Sequence, residues 1–129
     1  MKIIKTKTFL ANAVIGLQRG CSNEIIEIET FKDVLLQAQK LVYEQYNVGL
    51  SVKITACDIL FLGQEEPSVD IQIIQYPKFP QTEETFKKVF LEFIEILMLE
   101  LEQNRVVIVF TDETIMLEQS DAIDPKIEL

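Results

Sequence analysis

The stretch that decides the fold runs from residue 82 to residue 110 and reads TEETFKKVFLEFIEILMLELEQNRVVIVF. Thr82 is a helix N-cap residue type, and Glu83 and Glu84 complement the positive end of a helix dipole. Apolar residues then recur at helical spacing up to Asn104, which predicts an amphipathic second helix. The unbroken apolar run after Arg105 predicts a central strand.

The patterns on either side predict the remaining elements. Residues 2–18 read as extended, and Thr30 is the predicted N-cap of a first helix over residues 31–46 that Asn47 and Gly49 end. Residues 50–62 and 69–73 alternate as the strands of a hairpin around a turn at residues 63–67. A turn at residues 111–113 precedes a short returning stretch at 114–117.

The resulting order is strand, helix, strand, strand, helix, strand. This order predicts an α+β fold of the ferredoxin-like β-α-β-β-α-β type, an antiparallel sheet packed against two helices. No linker interrupts it, so we expect a single α+β domain over residues 1–118 and a loose acidic tail over residues 119–129.

Composition excludes several kinds of chemistry. The chain has 129 residues and no histidine, which rules out a Ser-His-Asp system and a His-rich zinc site. A net charge of -9 argues against a long nucleic-acid footprint, and no apolar segment is long enough for a membrane span. Two cysteines without a C-x-x-C motif, and no secretory signal, predict free thiols and a cytoplasmic location.

Only two arginines, Arg19 and Arg105, stand among ten lysines. One interpretation is that both are surface residues paired with the abundant carboxylates. The other is a local phosphate site, because the planar guanidinium suits bidentate contacts to phosphate.

Two polar segments are further candidates. Tyr76-Pro77-Lys78-Phe79-Pro80 places aromatic rings at a strand–helix junction. One interpretation is that Phe79 packs on the second helix. The other is that Phe79 or Tyr76 stacks on a base while Lys78 lies near a phosphate. Thr111 and Asp112 either form an ordinary hairpin turn or bind sugar hydroxyls.

Three stretches together, at residues 16–20, 76–80 and 105–114, resemble the phage Thoeris anti-defence sponge proteins of the first type, over about residues 10–118. The resemblance implies a non-enzymatic protein that sequesters a cyclic ADP-ribose-type signal and so blocks bacterial anti-phage defence in the host cytoplasm. It implies a small cyclic nucleotide ligand at the interface of a homo-oligomer, a dimer or a dimer-based hexamer. It implies no cofactor, no metal and no catalytic residue.

Carried over by motif, the resemblance assigns phosphate contacts to Arg19 and Arg105, adenine stacking to Phe79, and ribose or phosphate-side contacts to Thr111 and Asp112. Two alternatives stay open: an oligomeric ferredoxin-like regulatory or metabolite-binding module, and a tautomerase-fold enzyme. The predicted strand–helix–strand order of residues 69–117 resembles that of tautomerase-like proteins. That family uses an N-terminal proline as its base, whereas Lys2 follows Met1 here.

Overall fold

The computed structural model describes residues 1–123, which form one sheet and two helices. The elements are β1 (Ala11–Gly16), α1 (Ile28–Tyr46), β2 (Ser51–Phe61), β3 (Gln64–Ile74), α2 (Glu83–Glu100), β4 (Arg105–Phe110) and β5 (Thr114–Glu118).

All strand pairings are antiparallel, in the order β2-β3-β1-β4-β5. The connection through α1 joins β1 to β2, and β3 lies between these two strands, which is the split β-α-β arrangement of ferredoxin-like folds. The predicted fold class is therefore confirmed. The returning stretch after the second turn forms a fifth strand at the edge of the sheet, beside β4.

The core lies on one face of the sheet. Strand β1 alternates buried and half-buried residues, and α2 packs against β1 and β4 while α1 packs against α2. The stripe predicted on the second helix is buried as expected, with Phe90 and Phe93 fully enclosed and their rings stacked 6.0 Å apart. We call the opposite face, which neither helix covers, the open face; its central positions are Asn12, Val14, Asp70, Gln72, Val107, Val109 and Met116.

The two helices begin differently. Thr82 caps α2 as predicted, because its side chain accepts a hydrogen bond from the backbone N–H of Thr85 at 3.1 Å. The prediction of Thr30 as the first cap is wrong, since α1 begins a turn earlier, after Glu27, whose side chain makes no capping bond. The cause is tertiary, because the isolated β-bridge between Gln18 and Ile25 fixes the position of the chain just before α1 begins.

The hairpin turn is shorter than predicted. Strands β2 and β3 pair without interruption up to Phe61 and Gln64, so only Leu62 and Gly63 turn the chain. Both have positive φ, at 46° and 86°, which is the type I′ geometry that matches strand twist. Pro67, predicted in the turn, lies within β3 opposite Asp58.

The start of the chain also differs from the prediction, which had residues 2–18 extended. The first strand is confined to Ala11–Gly16, and residues 1–8 are exposed. At the other end, within the predicted tail of residues 119–129, Gln119 and Ser120 hydrogen-bond to Asn104, and residues 124–129 lie outside the described residues. Within residues 1–123, no helix is long and apolar enough to cross a membrane.

Candidate functional site

The seven predicted binding residues lie at two opposite ends of the sheet. Because β1 and β4 are antiparallel, Arg19, which follows β1, and Arg105, which begins β4, share one end. Thr111 and Asp112 follow β4 at the other end, where the Tyr76–Pro80 segment follows β3. The strand between the two ends spans about 17 Å at roughly 3.4 Å per residue. One small ligand in one subunit therefore does not reach both groups.

The two arginines are already engaged within the chain. Arg19 donates to the Glu102 carboxylate at 3.1 Å and to the backbone oxygen of Glu100 at 3.2 Å. Arg105 forms an ion pair with Glu118 and donates to the backbone oxygens of Ser120 and Ala122. These contacts match the interpretation of surface arginines paired with carboxylates.

Thr111 and Asp112 are engaged as well. The Thr111 hydroxyl accepts a hydrogen bond from the backbone N–H of Leu10 at 2.6 Å, and Lys87 of α2 contacts Asp112 at 2.7 Å and Glu113 at 3.2 Å. The hydrogen bond from Lys87 lowers the pKa of Asp112, and Lys7 adds a smaller effect of the same sign. The same hydrogen bond raises the pKa of Lys87.

Three predicted residues do line a common cleft of about 720 Å³ between the end of α1, the start of β2 and the Tyr76–Pro80 segment. Tyr76 and Phe79 are 52% and 69% exposed, so their rings are available to a ligand, and the Lys78 ammonium lies 5.9 Å from the centre of the Phe79 ring. Small-molecule sites are concave, mostly apolar and of this size. The cleft is therefore a candidate ligand site.

Sequence reasoning missed the other walls of the cleft. Tyr43 of α1 contributes a third exposed ring, and Phe9 and Phe86 pack edge to face at 4.8 Å beneath them. The only local signal was Asn47, whose left-handed backbone (φ 55°) ends α1 and turns the chain past Tyr43 toward β2.

The polar groups of the cleft are amides and one ammonium. Gln75 is held in place, because its side chain donates to the Lys7 carbonyl at 2.7 Å and accepts from the Phe9 N–H at 3.2 Å. Gln81 and Asn47 also line the cleft, and no carboxylate among the described residues does. Such a lining favours a flat, uncharged ring system with polar edges, and Lys78 adds a partner for one negative group.

The open face carries a second polar group that the sequence did not reveal. Asn12 hydrogen-bonds to the Asp70 carboxylate and donates to the carbonyl of Ile71 at 3.2 Å. Cys57 of β2 lies opposite Ser68, two residues from Asp70 along β3, and burial, followed by the charges of Asp70 and Asp58, raises the pKa of its thiol. This thiol is therefore a weak nucleophile.

Comparison with solved structures finds the same fold in a phage enzyme. The chain superimposes on a phage S-adenosylmethionine (SAM) lyase in its apo state with a TM-score of 0.72 and 17% identity, over 95% of this chain and 98% of that one. A phage SAM lyase in complex with S-methyl-5′-thioadenosine matches with a TM-score of 0.67 and 16% identity, over the same shares. No protein-family model and no curated protein matches.

These matches overturn the resemblance to the Thoeris sponges. Over nearly its whole length the chain has the fold of phage enzymes that act on SAM. The expectations of a non-enzymatic protein, of a sequestered cyclic ADP-ribose-type signal and of interference with Thoeris defence are therefore wrong. They rested on three short motifs, and the structure separates the two arginines of those motifs from the aromatic segment by the length of the sheet.

Proposed function

We propose that this chain is an enzyme that cleaves SAM and releases S-methyl-5′-thioadenosine, and that the cleft around Tyr76 and Phe79 binds the thioadenosine part. The observation that carries the proposal is the match to phage SAM lyases over 95% of this chain and 98% of theirs, one of them holding that nucleoside.

The lining of the cleft supports a thioadenosine ligand. Adenine is a flat ring that stacks on aromatic side chains, and each such contact contributes roughly 1–3 kcal/mol. The exposed rings of Tyr43, Tyr76 and Phe79 supply these faces, and the amides of Gln81 and Asn47 suit the polar edges of a base or a ribose. The predicted roles of Tyr76, Phe79 and Lys78 in ligand binding are retained in this proposal.

The reaction suits a chain without histidine. Releasing the thioether breaks one carbon–sulfur bond, and the electron pair of that bond neutralises the sulfonium sulfur. A lyase adds no water, so the remaining carbon either bonds to the carboxylate oxygen of the same substrate or forms a double bond as a neighbouring proton leaves. The first route needs no protein acid or base, only a bound conformation that brings two substrate atoms together.

An aromatic cleft also favours this chemistry electrostatically. A sulfonium cation is attracted to the faces of Tyr and Phe rings, as other cations are. The internal reaction of a carboxylate with a sulfonium carbon cancels opposite charges, so a less polar surrounding than water favours it. In this proposal Lys78, which lines the cleft, orients the substrate carboxylate.

The direct test is to incubate the purified protein with SAM and follow S-methyl-5′-thioadenosine by liquid chromatography and mass spectrometry. We expect many equivalents of product per protein chain, and a second product that contains no added water. Recovery of all the SAM, or a hydrolysis product, contradicts the proposal. The double variant Tyr76→Ala/Phe79→Ala should turn over slowly, whereas Leu99→Ala, an exposed change on α2, should not differ from the original.

Three predictions from the sequence stay open beside this proposal. Ligand contacts from Arg19, Arg105, Thr111 or Asp112 remain a prediction that requires a second subunit, since these residues do not line the cleft. A homo-oligomer, as a dimer or a dimer-based hexamer, remains a prediction that native mass spectrometry tests. A cytoplasmic location, and the lack of a long nucleic-acid or membrane partner, remain predictions as well.

A further inference from the structure

Three side-chain amides line the cleft, and one of them is already used within the chain. Gln75 donates to the Lys7 carbonyl and accepts from the Phe9 N–H, so both ends of its amide are occupied. Among residues 1–123, the side-chain amides of Asn47 and Gln81 hydrogen-bond to no other group. Each of these two amides therefore offers an acceptor oxygen beside a donor nitrogen to a ligand.

Gln81 belongs to the same short segment as two of the aromatic rings of the cleft. In this segment the Phe79 N–H donates to the Tyr76 carbonyl at 3.0 Å, which closes a turn. Pro77 and Pro80 restrict φ at two further positions. The rings and the amide are thus carried by one stretch of backbone whose conformation is set before a ligand arrives, which lowers the entropy cost of binding.

The far end of the segment is anchored at α2. Thr82, the residue after Gln81, caps this helix by accepting a hydrogen bond from the Thr85 N–H at 3.1 Å. Gln81 itself is half-buried, so its side chain has fewer free rotamers than an exposed one. Asn47, the other free amide, is exposed and belongs to the wall that α1 forms. Of the two amides, Gln81 is the one that is fixed on the segment of the stacking rings.

An amide at the edge of a stacked purine distinguishes adenine from other bases. Adenine carries an amino donor next to a ring-nitrogen acceptor, and a glutamine amide meets this pair with two hydrogen bonds, its oxygen accepting and its nitrogen donating. Both bonds lie in the plane of the base, so they form well only when stacking fixes that plane. No carboxylate among the described residues lines the cleft, and none there competes for the amino group.

We propose that residues 76–81 recognise adenine as one unit, in which Tyr76 and Phe79 stack on the base and the Gln81 amide pairs with its 6-amino group and an adjacent ring nitrogen. Gln81 is then the residue that sets the base specificity of the site. This inference rests on the proposed function and deepens it, because it narrows the substrate class to sulfonium compounds of adenosine with a free 6-amino group.

The test crosses two ligands with three proteins in titration calorimetry. The ligands are S-methyl-5′-thioadenosine and its analogue in which hydrogen replaces the 6-amino group. The proteins are the original chain, Gln81→Leu and the control Gln37→Leu, which changes an exposed glutamine of α1 outside the cleft. The original chain and Gln37→Leu should bind the amino ligand at least about fivefold more tightly than the analogue, whereas Gln81→Leu should bind both within about twofold.

The comparison of two ligands separates a direct contact from a structural role. If Gln81 only supports the wall of the cleft, Gln81→Leu weakens both ligands alike and the preference for the amino group survives. A second variant, Gln81→Glu, keeps the length of the side chain but replaces its donor with an acceptor. It should bind S-methyl-5′-thioadenosine at least about fivefold more weakly than the original chain, because a carboxylate oxygen then faces the lone pair of the ring nitrogen.

Each contrary result has a distinct meaning. Equal affinity of the original chain for the two ligands, a preference that survives in Gln81→Leu, or undiminished binding by Gln81→Glu overturns the assignment of Gln81 and leaves the cleft as the thioadenosine site. Loss of the preference in Gln37→Leu overturns it as well, because the effect is then not specific to the cleft. Failure of the original chain to bind either nucleoside overturns the proposed function and this inference with it.

Discussion

The sharpest test of the cleft is the substitution Phe79→Ala. The ring of Phe79 is 69% exposed, and among residues 1–123 the Lys78 ammonium, 5.9 Å from the ring centre, is the one cation or ring beside it. Its removal leaves no cavity, so the free energy of unfolding should change by less than about 0.5 kcal/mol. A lost stacking contact should instead weaken ligand binding by about 1–3 kcal/mol. At about 1.4 kcal/mol per tenfold, this corresponds to a rise in Kd of roughly 5- to 150-fold.

Titration calorimetry with S-methyl-5′-thioadenosine measures this change directly. Phe61→Ala is the matched control, because Phe61 is also an exposed phenylalanine but lies at the end of β2 remote from the cleft, and its Kd should equal that of the original chain. If Phe79→Ala binds with a Kd within about twofold of the original, no stacking contact is made, and the assignment of the ligand to this cleft is wrong.

Three further predictions concern stability. In Asp112→Asn the loss of the Lys87 contact should lower the free energy of unfolding at pH 7. Because the pKa of Asp112 is lowered from 3.8 in the folded state, the difference should shrink as the pH falls and Asp112 becomes protonated, and a difference that is as large at low pH as at pH 7 in urea titrations refutes this cause. Thr82→Ala should cost about 0.5–2 kcal/mol in chemical unfolding by removing the cap of α2, and an unchanged midpoint would contradict that role. Phe93→Ala should cost about 3–5 kcal/mol, against less than about 0.5 kcal/mol for the exposed Leu99→Ala, and similar losses in both would mean that the core is misassigned.

Elements with a strong local pattern were predicted well. The cap at Thr82, the buried stripe of α2 and the apolar strand β4 depend on neighbouring residues, and the structure has them where the pattern put them. Thr30 was misjudged for the opposite reason. Its cap motif is sound locally, but the bridge between Gln18 and Ile25 sets the direction of the chain, so α1 starts before Thr30.

The hairpin shows the same division between local and long-range causes. Gly63 marked the turn correctly, since a positive φ is most easily adopted by glycine. The polar residues after it were assigned to the turn because of their composition. Their actual place in β3 follows from continuous pairing with β2, which polar side chains on an exposed hairpin do not disturb.

The amino-acid sequence by itself determined the order of strands and helices, the absence of histidine chemistry and the aromatic segment at residues 76–80. Tertiary structure alone decided which of the singled-out residues meet. Strand order and antiparallel direction put Arg19 and Arg105 at one end of the sheet and Tyr76 and Phe79 at the other, and they brought Tyr43 and Phe9 to the aromatic segment. The physical reason is that hydrophobic periodicity is a local property of the chain, whereas a binding cleft is made by pairings between residues far apart in sequence.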